Sequence, residues 1–245
     1  MQSWSVMRSS RANLELRPLS VRTGINIHAE GSALVELGQT RVQATVSVEP
    51  KLPPHLRNRK DASGWLTAEY AMLPRSTSSR VNRERLYPGG RNQEIQRLIS
   101  RSLRAVTRLD LFRGQTLTVD VDVLQADGGT RCAGIIAGYA ALFELADSLI
   151  HSGRLDEWPL TAELAAVSVG LVGEEVLLDL DAAEDQNCQL DLNVVGTASG
   201  ELIEVQGGSE AGPIAAEKYV SLVGTGVSAL AVILERVRLQ IARQV

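Results

Sequence analysis

The chain has 245 residues, 44% of them hydrophobic, which is enough to bury a real core as one large domain or two fused halves. No run of about 18 uncharged apolar residues occurs, Met1–Arg11 lacks the apolar stretch of a signal peptide, and the two cysteines, Cys132 and Cys188, show no CxxC spacing, so a membrane span, secretion, a disulfide framework and a zinc site are all disfavoured and a reducing, cytoplasmic compartment is expected. The net charge of −4 is unevenly spread: residues 1–131 carry 20 Lys and Arg against 12 Asp and Glu, and residues 132–245 carry 5 against 17.

In chain order, residues 1–14 are polar and read as a loose terminus, with one domain following from 15 to 245. Segments 32–37 and 40–48 read as strands. The second alternates strictly in polarity, and Gly38-Gln39 fits a tight hairpin connection. Residues 50–64, with Pro53-Pro54, Arg57, Arg59 and Lys60, form a loop, and residues 76–90 form another, rich in Ser, Arg and Gly. A helix is predicted over Asn92–Leu109, where Ile95, Leu98, Ile99, Leu103 and Val106 make an apolar stripe and Arg97, Arg101, Arg104 and Arg108 lie on other faces. Twelve arginines fall between Arg57 and Arg113. Their planar forks bind phosphate oxygens bidentately, which suggests a polyanion such as nucleic acid, the alternative being a solvated, salt-bridged face.

Residues 116–124 alternate again, with Asp120 and Asp122 on one side. Arg131–His151 reads as a helix apolar nearly all round and therefore buried. Strands follow at 164–172, 175–180, 189–196 and 201–206, then a long C-terminal helix over 213–244, or a pair broken near Gly224-Thr225-Gly226. This order predicts an α+β fold with mixed sheets covered by helices. No GxGxxG turn, P-loop, GxSxG elbow or HExxH is present, and His28, His55 and His151 are scattered, so a dinucleotide fold and a His-centred mechanism are disfavoured.

Two constellations bear on chemistry. Pro88-Gly89-Gly90-Arg91-Asn92 and Asp127-Gly128-Gly129-Thr130-Arg131 each open a predicted helix. A glycine pair permits close approach of an anion, the helix start supplies N–H groups and positive dipole, and the arginine clamps a phosphate; Thr130 can cap the helix or offer its hydroxyl. Converging, they make a tetrahedral-anion site; apart, they are ordinary turns. The second constellation is acidic: Asp179, Asp181, Glu184, Asp185, Asp191 and Asn193. A hairpin through 182–188 would gather these carboxylates to hold Mg²⁺ or Mn²⁺, or to protonate a leaving oxygen, whereas the plain alternative is the wet face of a half-buried hairpin.

The same residues carry a family resemblance. Gly64–Thr77 (GWLTAEYAMLPRST), GGRNQEIQRLISRSLRAV (89–106), DVLQADGGTR (122–131), AAVSVGLV (165–172) and DLNVV (191–195) resemble bacterial ribonuclease PH, and RPLSV (17–21) and HAEGSALVELGQTRV (28–42) match the family's start. The resemblance implies the ribonuclease PH fold, of the ribosomal protein S5 domain 2 type, with two related β-α halves. It implies phosphorolytic trimming of tRNA precursor 3′ ends with release of nucleoside diphosphates, and a homo-hexamer built as a trimer of dimers. By position it implies that Arg91, Gly129, Thr130 and Arg131 bind the attacking phosphate. Asp185 and Asp191 would bind the divalent metal or act as general acid, and Arg75, Arg80 and Arg83 would grip the RNA. The alternative is an RNA-binding subunit of an exosome-like ring with little activity alone. Two departures stand out: the Arg57–Ser63 loop is longer and more basic than the family's, and Cys132-Ala133-Gly134 replaces a more familiar Thr-Ala-Ser.

Overall fold

The computed structural model describes residue 8 and residues 11–57, 63–82, 89–209 and 211–241. The chain opens with β1 (Leu19–Thr23), β2 (Gly31–Leu37), β3 (Thr40–Glu49) and β4 (Trp65–Met72). Then come α1 (Gly90–Ala105), a 3-10 turn at Leu109–Phe112, β5 (Thr116–Gln125) and α2 (Thr130–His151). The second half comprises β6 (Leu164–Val172), β7 (Glu175–Leu178), α3 (Ala182–Asn187), β8 (Leu190–Thr197), β9 (Leu202–Ser209) and α4 (Ala216–Ile241).

The first sheet has the order β1-β2-β3-β5-β4 and is mixed: β4 runs parallel to β5, and α1 crosses between them. The second has the order β7-β6-β8-β9 and is antiparallel throughout. Alternation decides the faces. Val42, Ala44, Val46, Val119, Val121, Val123, Leu66, Ala68 and Tyr70 point inward, while Gln43, Thr45, Glu69, Asp120 and Asp122 line the outer face. α2 packs between the two sheets, which is why it is apolar all round; Ile135, Ile136, Leu142 and Leu145 are fully buried, each contributing about 1.5–3 kcal/mol. α4 covers the far face of the second sheet and reaches β1, where the Gln240 side chain accepts from Val21 N–H and donates to the Leu19 carbonyl, occupying backbone groups of an edge strand. α2 and α4 are long and apolar enough to cross a bilayer by composition alone, but α2 is mostly enclosed by the protein and α4 lies along the second sheet.

Of the two readings of the C-terminal segment the single long helix is the one found: α4 continues through Gly224-Thr225-Gly226, and Gly226 marks close packing, since a Cβ there would stand 2.6 Å from Val194 Cγ2. Other expectations are corrected. α1 stops at Ala105, since Arg108 N–H donates to the Pro159 carbonyl and Thr107 bridges Leu160. β1 and β4 were not anticipated as strands. The described part of the terminal segment is also not loose: Leu178 N–H donates to the Asn13 carbonyl, and Arg8 and Arg11 are docked on the second half by ion pairs.

Candidate functional site

The ends of the parallel strands locate the site. Where β4 and β5 finish, their following loops lead to the starts of α1 and α2, the place where open α/β sheets collect ligands. Each helix begins on a glycine, Gly89 or Gly129, so no side chain caps it, and neither has an acidic residue in its first turn. α3 is the opposite case, with a full capping box from Asp181 and Glu184. A helix start whose N-cap residue offers no side-chain cap is an arrangement that suits an anion.

The two starts do converge. Arg131 lies 3.8 Å from Glu94 on the next turn of α1. Both Arg91 and Arg131 act on the Tyr70 hydroxyl: burial raises its pKa, while the hydrogen bond with Thr130 and the two guanidinium charges pull the other way. Tyr70 donates to Thr130 Oγ1 at 3.0 Å. Thr130 is thus not a cap; its oxygen is held by Tyr70, which leaves its own proton to donate. Arg131 Nε is buried with no partner among the described residues, a donor in want of an acceptor. Tyr70 escaped the sequence reading, although the inward alternation Leu66, Ala68, Tyr70 places its hydroxyl near this end of β4.

The turn before α2 is built for contact with the acidic segment. Gly128 and Gly129 have φ of 73° and 66°, which glycine adopts without strain. A Cβ on Gly128 would fall 2.5 Å from Asp181 C and 2.6 Å from the Leu180 oxygen, so nothing larger fits between the start of α2 and the loop leading into α3. Thr40 Oγ1 donates to the Gly128 carbonyl, and Arg17 joins the Asp127 carbonyl at 2.6 Å to Asp179 Oδ1 at 2.7 Å.

The acidic cluster divides. The anticipated hairpin is absent, because β6 separates β7 from β8. β7 ends at Leu178, Asp179 turns away at φ 57°, and Asp181 caps α3. Asp179 and Glu184 are buried on arginines. Asp185 is exposed on α3, and Asp191 is half-buried on β8. Cys132 ties this arm to the phosphate helix: its thiol donates to Asn193 Oδ1 at 3.3 Å, and burial first, then Asp179 and Asp185, push it up to about 12 against Arg131 and Arg17. Asp191 faces glycine across both neighbouring strands, Gly170 and Gly208; Leu180 fills the space over Gly170, but a Cβ on Gly208 would meet nothing within 4 Å. Among the described residues no three His, Cys, Asp or Glu side chains gather as a metal site. Two hard oxygen donors fit Mg²⁺ or Mn²⁺ when water and substrate oxygens complete the shell.

Arg75 and Arg80 are exposed on the loop after β4, which is tied to the end of β5 by Ala126 N–H donating to the Ser76 carbonyl. Arg83 lies outside the described residues, as do Pro88 and residues 58–62 of the longer basic loop. A cleft of about 270 Å³, lined by Met72, Leu73, Val81, Asn82, Asn92 and Asp122, opens beside the first turn of α1.

Residues 15–146 match the model described as 3′ exoribonuclease family, domain 1, and residues 163–229 match that family's domain 2. Ribonuclease PH of Deinococcus radiodurans is 49% identical over 96% of this chain and 95% of its own length. That of Moorella thermoacetica is 47% identical over 97% and 96%. The crystal structure of rice (Oryza sativa) Rrp46 superposes with a TM-score of 0.77 over 95% of this chain and 98% of its own, and an RNA-bound Archaeoglobus fulgidus exosome with 0.77 over 92% and 90%; both are 21% identical and speak to the fold alone.

Proposed function

The chain belongs to the 3′ exoribonuclease (ribonuclease PH) family, and on that premise we propose that it shortens RNA from the 3′ end by phosphorolysis. The observation that supports the mechanism is the approach of the α1 and α2 starts at Tyr70, where Arg91 and Arg131 both act on one hydroxyl and Arg131 Nε lacks a partner among the described residues.

Inorganic phosphate sits against Gly129, Thr130 and Arg131, with Arg91 closing on it from α1. An oxygen of that phosphate attacks the phosphorus of the terminal phosphodiester in line. The bond to the 3′ oxygen of the penultimate nucleotide breaks, a nucleoside diphosphate leaves, and the shortened RNA takes up a proton at its new 3′ hydroxyl. The chain's part is placement and charge neutralisation: arginines and helix dipoles are already aimed where negative charge accumulates. Asp185 and Asp191 would hold Mg²⁺ or Mn²⁺, which would supply Lewis-acid stabilisation of phosphoryl oxygens; alternatively, a carboxyl group of the pair that does not ligate the metal would deliver the proton to the leaving oxygen. Arg75, Arg80 and Arg83 draw the strand in along the loop after β4.

We further infer that tRNA precursors are the substrate, that the working form is a hexamer assembled as a trimer of dimers, and that the enzyme acts in the cytoplasm. Support for the last comes from Cys132 and Cys188, which form no disulfide among the described residues. The test is product identification from a 3′-labelled RNA with Mg²⁺, with and without phosphate. Nucleoside diphosphates that appear only with phosphate are expected. Phosphate-independent release of monophosphates would indicate a hydrolase, and no release at all from the purified chain would favour a binding subunit.

A further inference from the structure

Asp185 stands on α3, a helix of six residues, Ala182–Asn187, far too short to hold its own shape in water. Apolar packing does not hold it either, because its one buried side chain is the carboxylate of Glu184. Glu184 is 3% exposed, and its partners come from the beginning of the chain. Arg8 Nε donates to Oε1 at 2.6 Å and another Arg8 nitrogen to Oε2 at 2.7 Å; Arg11 donates to Oε2 at 3.0 Å. The same Oε2 accepts from Asp181 N–H and closes the capping box. The Arg8 side chain is 1% exposed, and its other donors go to the Ala12, Asn13 and Leu178 carbonyls. Arg11 also donates to the Asp179 side chain and carbonyl. A fork satisfied at this many fixed acceptors and shut off from water defines one placement of the helix above it.

We propose that Arg8 and Arg11, acting through Glu184, are positioning residues for the acidic arm of the active site: the N-terminal segment fixes α3 and so sets where Asp185 stands. The inference rests on the reading that Asp185 serves phosphorolysis. Among the described residues, none of Arg75, Arg80, Arg91, Thr130 and Arg131 is hydrogen-bonded to Arg8, Arg11 or Glu184, which separates the effects of the lattice from theirs.

The experiment uses the full chain with Arg8 and Arg11 both changed to Met, alongside Glu184→Gln, Arg8→Lys and Asp185→Asn. For the double variant and for Glu184→Gln, kcat falls on the order of 10- to 100-fold, the usual cost of removing support behind a ligating group. KM for RNA and for phosphate is unchanged, and Mn²⁺ binding, followed by electron paramagnetic resonance without RNA, weakens by a comparable factor. Arg8→Lys keeps the charge but not the fork and retains part of the activity. A lattice that only stabilised the fold would lower the melting temperature and leave kcat and Mn²⁺ affinity of the folded enzyme at wild-type values; that result overturns the proposal. If the double variant does not fold, the isosteric Glu184→Gln decides by the same measurements. Wild-type turnover in Asp185→Asn would instead remove the underlying reading, whereas a silent arginine pair beside a dead Asp185→Asn removes only the positioning role.

Discussion

Gly128 is the narrowest point between the two arms of the site, and Gly128→Ala tests whether their spacing matters. The residue holds φ 73°, where an L side chain costs about 1 kcal/mol. Its Cβ would also meet backbone atoms of Leu180, Asp181 and Ala182 at 2.5–2.8 Å, and backbone cannot rotate aside as a flexible side chain does. Relieving that overlap adds about 1–3 kcal/mol, for a total of roughly 2–4 kcal/mol, or about 5–15 °C in Tm for a chain of this size. Gly114→Ala is the matched control: φ is 75° there, and an added Cβ meets nothing within 4 Å, so it bears the conformational cost alone. The catalytic effect comes from the direction of the push, which drives the loop into α3 away from the phosphate helix. A displacement near 1 Å between reacting groups lowers turnover on the order of 100-fold. Thermal melts and phosphorolysis rates at saturating phosphate are measured on both variants below their melting ranges. If Gly128→Ala matches Gly114→Ala in both readouts, the contact does not set the geometry and the reasoning fails.

Arg131→Met removes a donor that lacks a partner among the described residues; loss of charged hydrogen bonds worth about 2–3 kcal/mol raises the phosphate needed for half-maximal rate roughly 30- to 150-fold, while binding of RNA measured without phosphate is unchanged. Tyr70→Phe releases Thr130 at a cost of about 1 kcal/mol and slows turnover roughly fivefold; a silent variant would show that the hydroxyl does not orient Thr130. For Glu184, burial alone would raise the carboxyl, but the Arg8 hydrogen bond, the Asp181 N–H and the charges of Arg8 and Arg11 outweigh it and hold it below the ordinary 4.5. A folded value below the unfolded one means stability that is complete above pH 4.5 and is lost as pH falls through the folded value, so the Tm gap between wild type and Glu184→Gln narrows on acidification and a constant gap refutes the pairing. Cys132, pushed up to about 12 by burial, resists a thiol alkylating agent in the native enzyme at pH values where the half-buried Cys188 reacts; equal labelling by mass spectrometry contradicts that environment.

What the residues reveal by themselves follows the range of the forces involved. α2 was legible because its apolar surface on every side matches its place between two sheets, and β3 and β5 because one face of each meets water. The acidic segment misled for a physical reason: Leu178-Asp179-Leu180-Asp181 has strand alternation, but short acidic side chains compete for backbone N–H groups, and Asp181 stops the strand by capping a helix. Gly224 and Gly226 resemble a break until the valines beneath Gly226 are seen. Both glycine-led helix starts were legible singly; that they face each other across Tyr70 depends on the parallel pairing of β4 with β5, which no local pattern encodes.

The uneven charge along the chain acquires a meaning from this placement. The arginine-rich first half supplies the anion side of the site and the acid-rich second half the opposite arm, so their attraction works in the same direction as the chemistry. Arginines near the start of the chain take the inner carboxylates of the second half: Arg17 takes Asp179, and Arg8 and Arg11 take Glu184. With those charges neutralised from behind, the spacing between the start of α2 and the loop into α3 is left to backbone contact at Gly128. Removing an inner arginine therefore does more than loosen a terminus: it leaves a buried carboxylate without its partner, a cost of about 3–5 kcal/mol that falls on the loop carrying α3 and leaves the start of α2 untouched.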